Sequence, residues 1–231
     1  MLVLAIGLMP LAACAAPDGP TSTTSSTPHT TTAGDPDMKD QMATTLEDTS
    51  PTIADALRAD TTQVMPVGAA ALADWQVVDV LPRGGGHPQR WFMAVKDEGR
   101  EVVVLSGFPQ RWAQITEGAS VTSAAQAEEL AGVYADATRD MRTGYSRIDS
   151  VDGIRFLPSP SEEEATRIET LRREHDEVAA ASASGDGPWT VRLWTVTDGD
   201  LVRHDVEVAT DGAITDTIEV VEEDLPVPQT L

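Results

Sequence analysis

The fold is decided by residues 189–221, which read WTVRLWTVTDGDLVRHDVEVATDGAITDTIEVV. Three segments with alternating apolar residues, 189–197, 201–210 and 213–221, are separated by Asp198-Gly199 and Asp211-Gly212. Asp-Gly is among the strongest short signals for a tight hairpin turn, so the stretch predicts a meander of three antiparallel strands. The middle segment alternates apolar residues with Arg203, Asp205 and Glu207, so we expect its sheet to be covered on one side only.

Upstream of this meander, three further segments predict strands: 75–81 (WQVVDVL), 90–96 (RWFMAVK) and 101–106 (EVVVLS). Glycine-containing segments at 84–86 and 97–99 supply the turns between them. The third strand is apolar on both faces, because Val102 and Val104 alternate with Val103 and Leu105. We therefore expect this strand to lie in the centre of its sheet.

Two helices are predicted between the two groups of strands. The first spans 123–141, where Ser123 and Gln126 can form a capping box, and the second spans 160–183, with Ser159 as its cap. A hairpin over 146–157, turning at Asp152-Gly153, separates them, and residues 52–60 predict a short helix before the first strands. Helices set apart from mainly antiparallel strands indicate an α+β domain.

The order of helix and meander over residues 160–221 resembles PepSY domains and cystatin-like folds. Pro51-Thr52-Ile53-Ala54-Asp55 is similar to the opening of a mycobacterial lipoprotein family with an α/β sandwich. These resemblances imply a fold, and no site residue follows from any of them.

The chain begins with a short apolar run, residues 2–11, followed by Leu11, Ala12, Ala13 and Cys14. This pattern resembles the lipobox of bacterial lipoproteins. The resemblance implies that residues 1–14 form a signal peptide, cut before Cys14, and that lipid on the Cys14 thiol anchors the chain outside the cell membrane. The basic start of a signal peptide is missing, which indicates a start site placed too late. The alternative is an ordinary apolar segment with a buried thiol.

Residues 15–50 are rich in Thr, Ser, Pro and Asp, so we expect a disordered tether, of the kind found in actinobacterial lipoproteins. The domain should then span 51–225, with a tail at 226–231. The formal net charge of -22 repels nucleic acid phosphates and anionic lipid headgroups, and no basic cluster offsets it. These features exclude nucleic acid as an expected partner and leave membrane attachment to the lipid.

Two similar hexapeptides, Gly86–Trp91 (GHPQRW) and Gly107–Trp112 (GFPQRW), supply the candidate binding residues. Arg and Trp dominate interaction hot spots, so the pairs Arg90-Trp91 and Arg111-Trp112 could face a partner. The alternative, which we favour, is that the similarity is coincidental and the tryptophans pack in the core. Trp194 is a further candidate, since Trp189 and Trp194 fall on opposite faces of one strand.

The residues give little support to catalysis. None of the four histidines forms an HxxxH or HExxH pattern, so we expect no metal and no cofactor. The most favoured function is a non-catalytic envelope protein that binds a protein, a lipid or a wall component. The alternative is an extracytoplasmic hydrolase that uses scattered carboxylates or His87.

Overall fold

Two antiparallel sheets, with helices between and around them, make up residues 36–83 and 89–228, the part of the chain that the computed structural model describes. These residues belong to one compact unit. The predicted α+β class is confirmed, with antiparallel pairing in both sheets.

The first sheet has the strand order β1-β2-β3-β4, with bounds Thr62–Val67, Gln76–Pro82, Trp91–Lys96 and Glu101–Val104. The three predicted strands are present, but β1 was not predicted. The prediction that the third of them is central is wrong, because β4 forms an edge and its Val102 and Val103 are only partly buried. The central strands are β2 and β3, which have buried residues on both faces.

The second sheet has five strands, β5 to β9, with bounds Tyr145–Ile148, Ser182–Ser184, Trp189–Thr197, Asp200–Val208 and Ile214–Glu222. The meander β7-β8-β9 confirms the prediction made from the Asp-Gly turns. Along the other side of β7, β5 pairs with one end and β6 with the other. The predicted hairpin over 146–157 is wrong, since a short 3-10 helix, Val151–Gly153, follows β5 there.

Four α-helices are described: α1 Pro36–Leu46, α2 Pro51–Arg58, α3 Ala124–Thr138 and α4 Glu162–Glu174. Ser123 caps α3 as predicted, by accepting a hydrogen bond from the backbone of Gln126. The cap of α4 is Ser161 rather than Ser159, and Ser161 forms a capping box with Glu164. The helix is shorter than predicted, because residues 182–184 are taken up by β6.

Helix α3 lies between the two sheets and is buried on most of its surface. Its buried residues share one cluster with Phe92 and Ala94 of the first sheet and Val191 and Val206 of the second. Small side chains allow two sheets to approach one helix closely, which accounts for its composition, AAQAEELAGVYADAT.

Helices α1 and α2 cover the opposite face of the first sheet. Met38, Met42 and Leu46 of α1 pack with Leu57 and with β2 and β3 in a second cluster. The prediction that residues 15–50 form a disordered tether is therefore wrong from residue 36 onward, and the domain begins before residue 51. The polar side chains of α1 give this segment a composition similar to that of a disordered tether. Its methionines, spaced four residues apart, form a buried stripe along the helix.

A third cluster covers one end of the outer face of the second sheet. Trp194 and Val196 of β7 pack there with Leu171 of α4. The wet face predicted for β8 is confirmed only in part, because this end is covered. Pro226 accepts a hydrogen bond from the backbone of Leu157 at 2.8 Å, so the predicted tail is attached to the domain at this residue. Within the described residues, no helix has the length and apolar character needed to cross a bilayer.

Candidate functional site

The tryptophans proposed as binding residues lie mainly in the core. Trp112 and Trp194 are each 2 % exposed, and the indole Nε1 of Trp112 donates to the carbonyl of Gly212 at 3.2 Å. Trp91 is partly buried against the cluster under α1 and α2. The favoured interpretation, core packing, is correct for Trp112 and Trp194, and these two residues are withdrawn as contact residues.

The two arginines of the hexapeptides are held by the fold in different ways. Arg90 makes two hydrogen bonds of 2.8 Å to the buried carboxylate of Asp79, and its guanidinium lies over the ring of Phe92. Arg111 donates to the carbonyl of Val104 at 3.0 Å. Both arginines thus have a structural role within their own sheet region, and Arg90 also faces a cavity.

The two hexapeptides do not form a structural repeat over the residues that can be compared. Trp91 begins strand β3, whereas Trp112 lies in a 3-10 helix, Pro109–Gln114. His87, the candidate for a hydrolase, lies outside the described residues, as do Cys14 and the lipobox residues Leu11, Ala12 and Ala13. The predictions for these positions stay predictions.

One histidine takes part in a chain of polar groups inside the second sheet. The ring nitrogens of His204 lie 3.2 Å from the Thr195 hydroxyl and 2.9 Å from the Asp216 carboxylate. A hydroxyl, an imidazole and a carboxylate in this order are the parts of a nucleophilic triad. The Thr195 hydroxyl is not accessible to a substrate, however, because Thr195 is 0 % exposed. The arrangement therefore pairs polar groups of neighbouring strands, while Oδ1 of Asp216 stays buried without a hydrogen-bond partner among the described residues.

No group of three or more His, Cys, Asp or Glu side chains suited to a metal ion occurs within residues 36–83 and 89–228. His175 ends helix α4 and lies 3.2 Å from the carboxylate of Glu177.

Several charged side chains meet in an open cavity of about 390 Å³. We call it the arginine pocket, and it is lined by Arg90, Phe92, Asp136, Arg139, Tyr145, Ser146, Arg147 and Asp149. Three separate elements bring these residues together: the start of β3, the C-terminal end of α3 and strand β5. The pocket exists because α3 lies between the two sheets and ends where both sheets are close to it.

Two carboxylates at the pocket are already engaged. Asp79, beneath Arg90, is held by both of its hydrogen bonds, and Arg90 has its pKa raised by this bonding. Asp136 accepts a hydrogen bond from the Tyr145 hydroxyl at 2.8 Å and pairs with Nη1 of Arg147 at 3.3 Å. These acids therefore fix the positions of their partners.

Arg139 differs from the other two arginines of the pocket. Its Nε is buried without a hydrogen-bond partner, and within the described residues its guanidinium has no acidic partner. The guanidinium carbon lies 4.5 Å from the centre of the Tyr145 ring, which supports the charge through its π face. Burial lowers the pKa of Arg139 and the nearby charge of Arg90 lowers it too, whereas Tyr145, Asp136 and Asp79 raise it and offset part of this shift. A buried N–H without an acceptor costs about 1–3 kcal/mol. Because the Nε atom itself is buried, a ligand would contact Arg139 through the part of the side chain that lines the cavity.

Tyr145 also lines the pocket, and its hydroxyl donates its single proton to Asp136. Burial raises its pKa well above the usual value, and the carboxylate of Asp136 raises it further. The hydroxyl therefore stays protonated at physiological pH and acts as a donor rather than as a base.

A larger cavity, of about 470 Å³, also borders β5. Its wall includes Val196, Ile154 and Pro228, the last described residue of the chain. The arginine pocket is the better candidate site, because charged groups converge in it and one of them lacks a partner.

Comparison with known proteins identified no relative of this chain. The chain matches no protein-family model, no curated protein and no solved structure. The resemblances to PepSY domains, to cystatin-like folds and to a mycobacterial lipoprotein family therefore stay predictions, and function rests on the geometry of the pocket.

Sequence reasoning found Arg90 but missed Arg139, Tyr145 and Arg147. One signal was present: residues 139–147 (RDMRTGYSR) hold three arginines in a strongly acidic chain. This local excess of positive charge lies at the end of a predicted helix, where cations are stabilised by the helix dipole.

Proposed function

We propose that this chain is a lipid-anchored extracytoplasmic protein whose α+β domain binds a ligand in the arginine pocket without transforming it. The observation that carries the binding role is Arg139, which lines an open cavity and makes no ion pair with an acid among the described residues. The lipobox-like stretch Leu11-Ala12-Ala13-Cys14 supports the anchored location. The ligand would be an envelope component, or a molecule that reaches the outer face of the membrane.

The state of the pocket groups favours binding over acid–base catalysis. The Tyr145 hydroxyl stays protonated, and Asp136 accepts bonds from Tyr145 and Arg147. A general acid or base must exchange a proton near the working pH, and fixed, fully engaged groups are poorly suited to do so. Such groups are well suited to hold a ligand in one orientation.

The anchor can be tested in a bacterium that lipidates its exported proteins. We expect the wild-type chain to incorporate labelled palmitate and to sediment with membranes, and Cys14→Ser to do neither. Because Cys14 is the only cysteine, a matched control moves the thiol: Cys14→Ser with Ser25→Cys should also stay unlabelled. Equal labelling of wild type and Cys14→Ser would contradict the anchor.

The binding role can be tested by native mass spectrometry of the full chain purified from its host in mild detergent. We expect a retained mass in the wild type that is lost in Arg147→Trp, which places a bulky ring in the pocket. The matched control is Ser184→Trp, at an exposed position on β6, which should keep the ligand. A bare chain in every case would contradict tight carriage. A ligand that the wild type converts during incubation would contradict the non-catalytic role.

A further inference from the structure

Three arginines and three aspartates meet at the arginine pocket, so its formal charges balance, but their pairing is uneven. Asp79 is used by Arg90 and Asp136 by Arg147, through the bonds described above. Asp149 also lines the pocket, but it is exposed and lies on the segment after β5. Arg139 is therefore the arginine of the pocket that makes no ion pair with an acid among the described residues, although Asp136 and Asp79 act on its charge from a greater distance.

The donors of Arg139 have a geometry that suits one class of ligand. A guanidinium presents several N–H groups in a planar fork that matches the oxygens of a carboxylate or phosphate. Tyr145 packs against one face of the Arg139 guanidinium, which restricts its orientation, and Arg90 is close enough to lower its pKa. An oxyanion placed beside Arg139 would thus be attracted by more than one positive charge.

We propose that the arginine pocket binds an oxyanion, the carboxylate or phosphate group of a small molecule, and that the guanidinium of Arg139 contacts it directly. This inference rests on the proposed function and names the chemistry of its ligand. Because the whole chain carries a net charge of -22, the pocket is a local exception to a surface that repels anions.

The competing ligand class is a cation, which would use Asp149. The two classes predict opposite effects of the same substitution. Asp149→Asn removes a negative charge at the rim, so it should strengthen the binding of an anion and weaken the binding of a cation. We expect the loss of this exposed charge to change the affinity about two- to threefold at moderate salt.

The test is an NMR titration of the full chain with inorganic phosphate and, separately, with acetate. The Nε–H signals of the arginines are observed directly, and glycerol serves as an uncharged control. We expect phosphate or acetate to shift the Arg139 signal in a saturable way, with little effect on Arg173, an exposed arginine of α4. The anion that shifts it at the lower concentration identifies the group as phosphate or carboxylate.

Variants then show whether Arg139 contacts the anion or only maintains the structure of the pocket. Arg139→Gln should weaken the binding of the preferred anion by about tenfold or more, since hydrogen bonds between charged groups contribute most. Arg173→Gln should leave it unchanged. Circular dichroism and urea unfolding show whether Arg139→Gln is folded, and Arg139→Lys gives a second variant that keeps the charge but loses the planar fork. We expect Arg139→Lys to bind more weakly than the wild type and more tightly than Arg139→Gln.

Several results would overturn the proposal. These are unshifted Arg139 signals with both anions, equal affinity in Arg139→Gln and the wild type, or weaker anion binding in Asp149→Asn. If the native mass experiment finds a retained ligand that Arg147→Trp loses while both anions fail here, the binding role stands and the oxyanion assignment fails. Binding to vesicles of phosphatidylglycerol that Arg139→Gln abolishes would place the phosphate on a lipid headgroup rather than on a free molecule.

Discussion

Gly132 of helix α3 lies directly against the guanidinium of Arg147, since a Cβ atom at Gly132 would be 2.4 Å from Nη1 of that residue. The missing side chain lets β5 approach α3 and lets Arg147 reach Asp136, one turn further along the helix. A residue without a side chain inside a buried helix thus helps to form the arginine pocket.

We expect Gly132→Ala to weaken anion binding in the arginine pocket without lowering the stability of the fold. Alanine is favoured over glycine inside a helix by about 1 kcal/mol, and the flexible end of Arg147 can move away. The ion pair with Asp136 is partly exposed and contributes little, so the free energy of unfolding should stay the same or rise by up to about 1 kcal/mol. The affinity for the pocket anion should fall. Urea unfolding and the phosphate titration measure the two effects.

The control for this variant is Gly153→Ala, where an added Cβ would meet nothing closer than 3.8 Å. It should leave the anion affinity unchanged. A Gly132→Ala variant with normal affinity would show that Arg147 does not help to shape the pocket.

Arg90→Ala is expected to destabilise the fold, in contrast to the surface role that its hexapeptide indicates. The carboxylate of Asp79, whose side chain is 6 % exposed, would lose both of its hydrogen bonds. A buried polar group left without its partner costs about 1–3 kcal/mol. Urea unfolding should therefore show a loss of that size, whereas Arg100→Ala, at an exposed position, should change stability by less than about 0.5 kcal/mol. Equal stability of both variants would show that Asp79 is hydrated in the variant.

His204 and Asp216 form a second buried pair. We expect the losses of unfolding free energy caused by substituting the two residues to be non-additive. His204→Leu leaves a carboxylate that is 10 % exposed without its imidazole partner, so we expect a loss of about 1–3 kcal/mol. Replacing both residues by leucine should recover part of this loss, because no buried charge remains. Thermal and urea unfolding of the two single variants and the double variant measure the coupling. Additive losses of unfolding free energy would contradict a direct interaction between His204 and Asp216.

Much of the fold could be predicted from short-range patterns. The meander β7-β8-β9 follows from alternation and from two Asp-Gly turns, which act over a few residues. Strand β1 was missed because Pro66 and exposed Met65 interrupt its alternation. Helix α1 was missed because its composition is polar, although Met38, Met42 and Leu46 repeat at the spacing of a helix face.

The candidate site could not be predicted in the same way. Arg90, Arg139 and Arg147 lie on a strand, after a helix and on a strand of a different sheet. Their meeting depends on α3 being packed between both sheets, which no local pattern encodes. Trp194 shows the same limit, since its alternation placed it on a polar face and only the packing of α4 covers it.

The two tyrosines of the chain, Tyr134 and Tyr145, give a direct test of the environment around the pocket. Burial raises the pKa of both phenols, and nearby carboxylates add to it, from Asp216 for Tyr134 and from Asp136 for Tyr145. An unfolded tyrosine has a pKa of about 10. The native chain should therefore show less tyrosinate absorbance at about pH 10 than the chain in concentrated urea, which should be half ionised there.

Linkage gives the sign of the effect on stability. A folded-state pKa above the unfolded value means that the folded chain binds more protons, so stability is complete below about pH 10 and falls as the pH rises beyond it. Urea unfolding should accordingly show a lower free energy of unfolding at about pH 11 than at about pH 9. Tyr145→Phe should reduce this difference, because the more strongly shifted phenol is gone. A native chain whose tyrosinate absorbance rises with a midpoint near pH 10 would show that neither hydroxyl is held in a buried site, and would contradict the hydrogen bond from Tyr145 to Asp136.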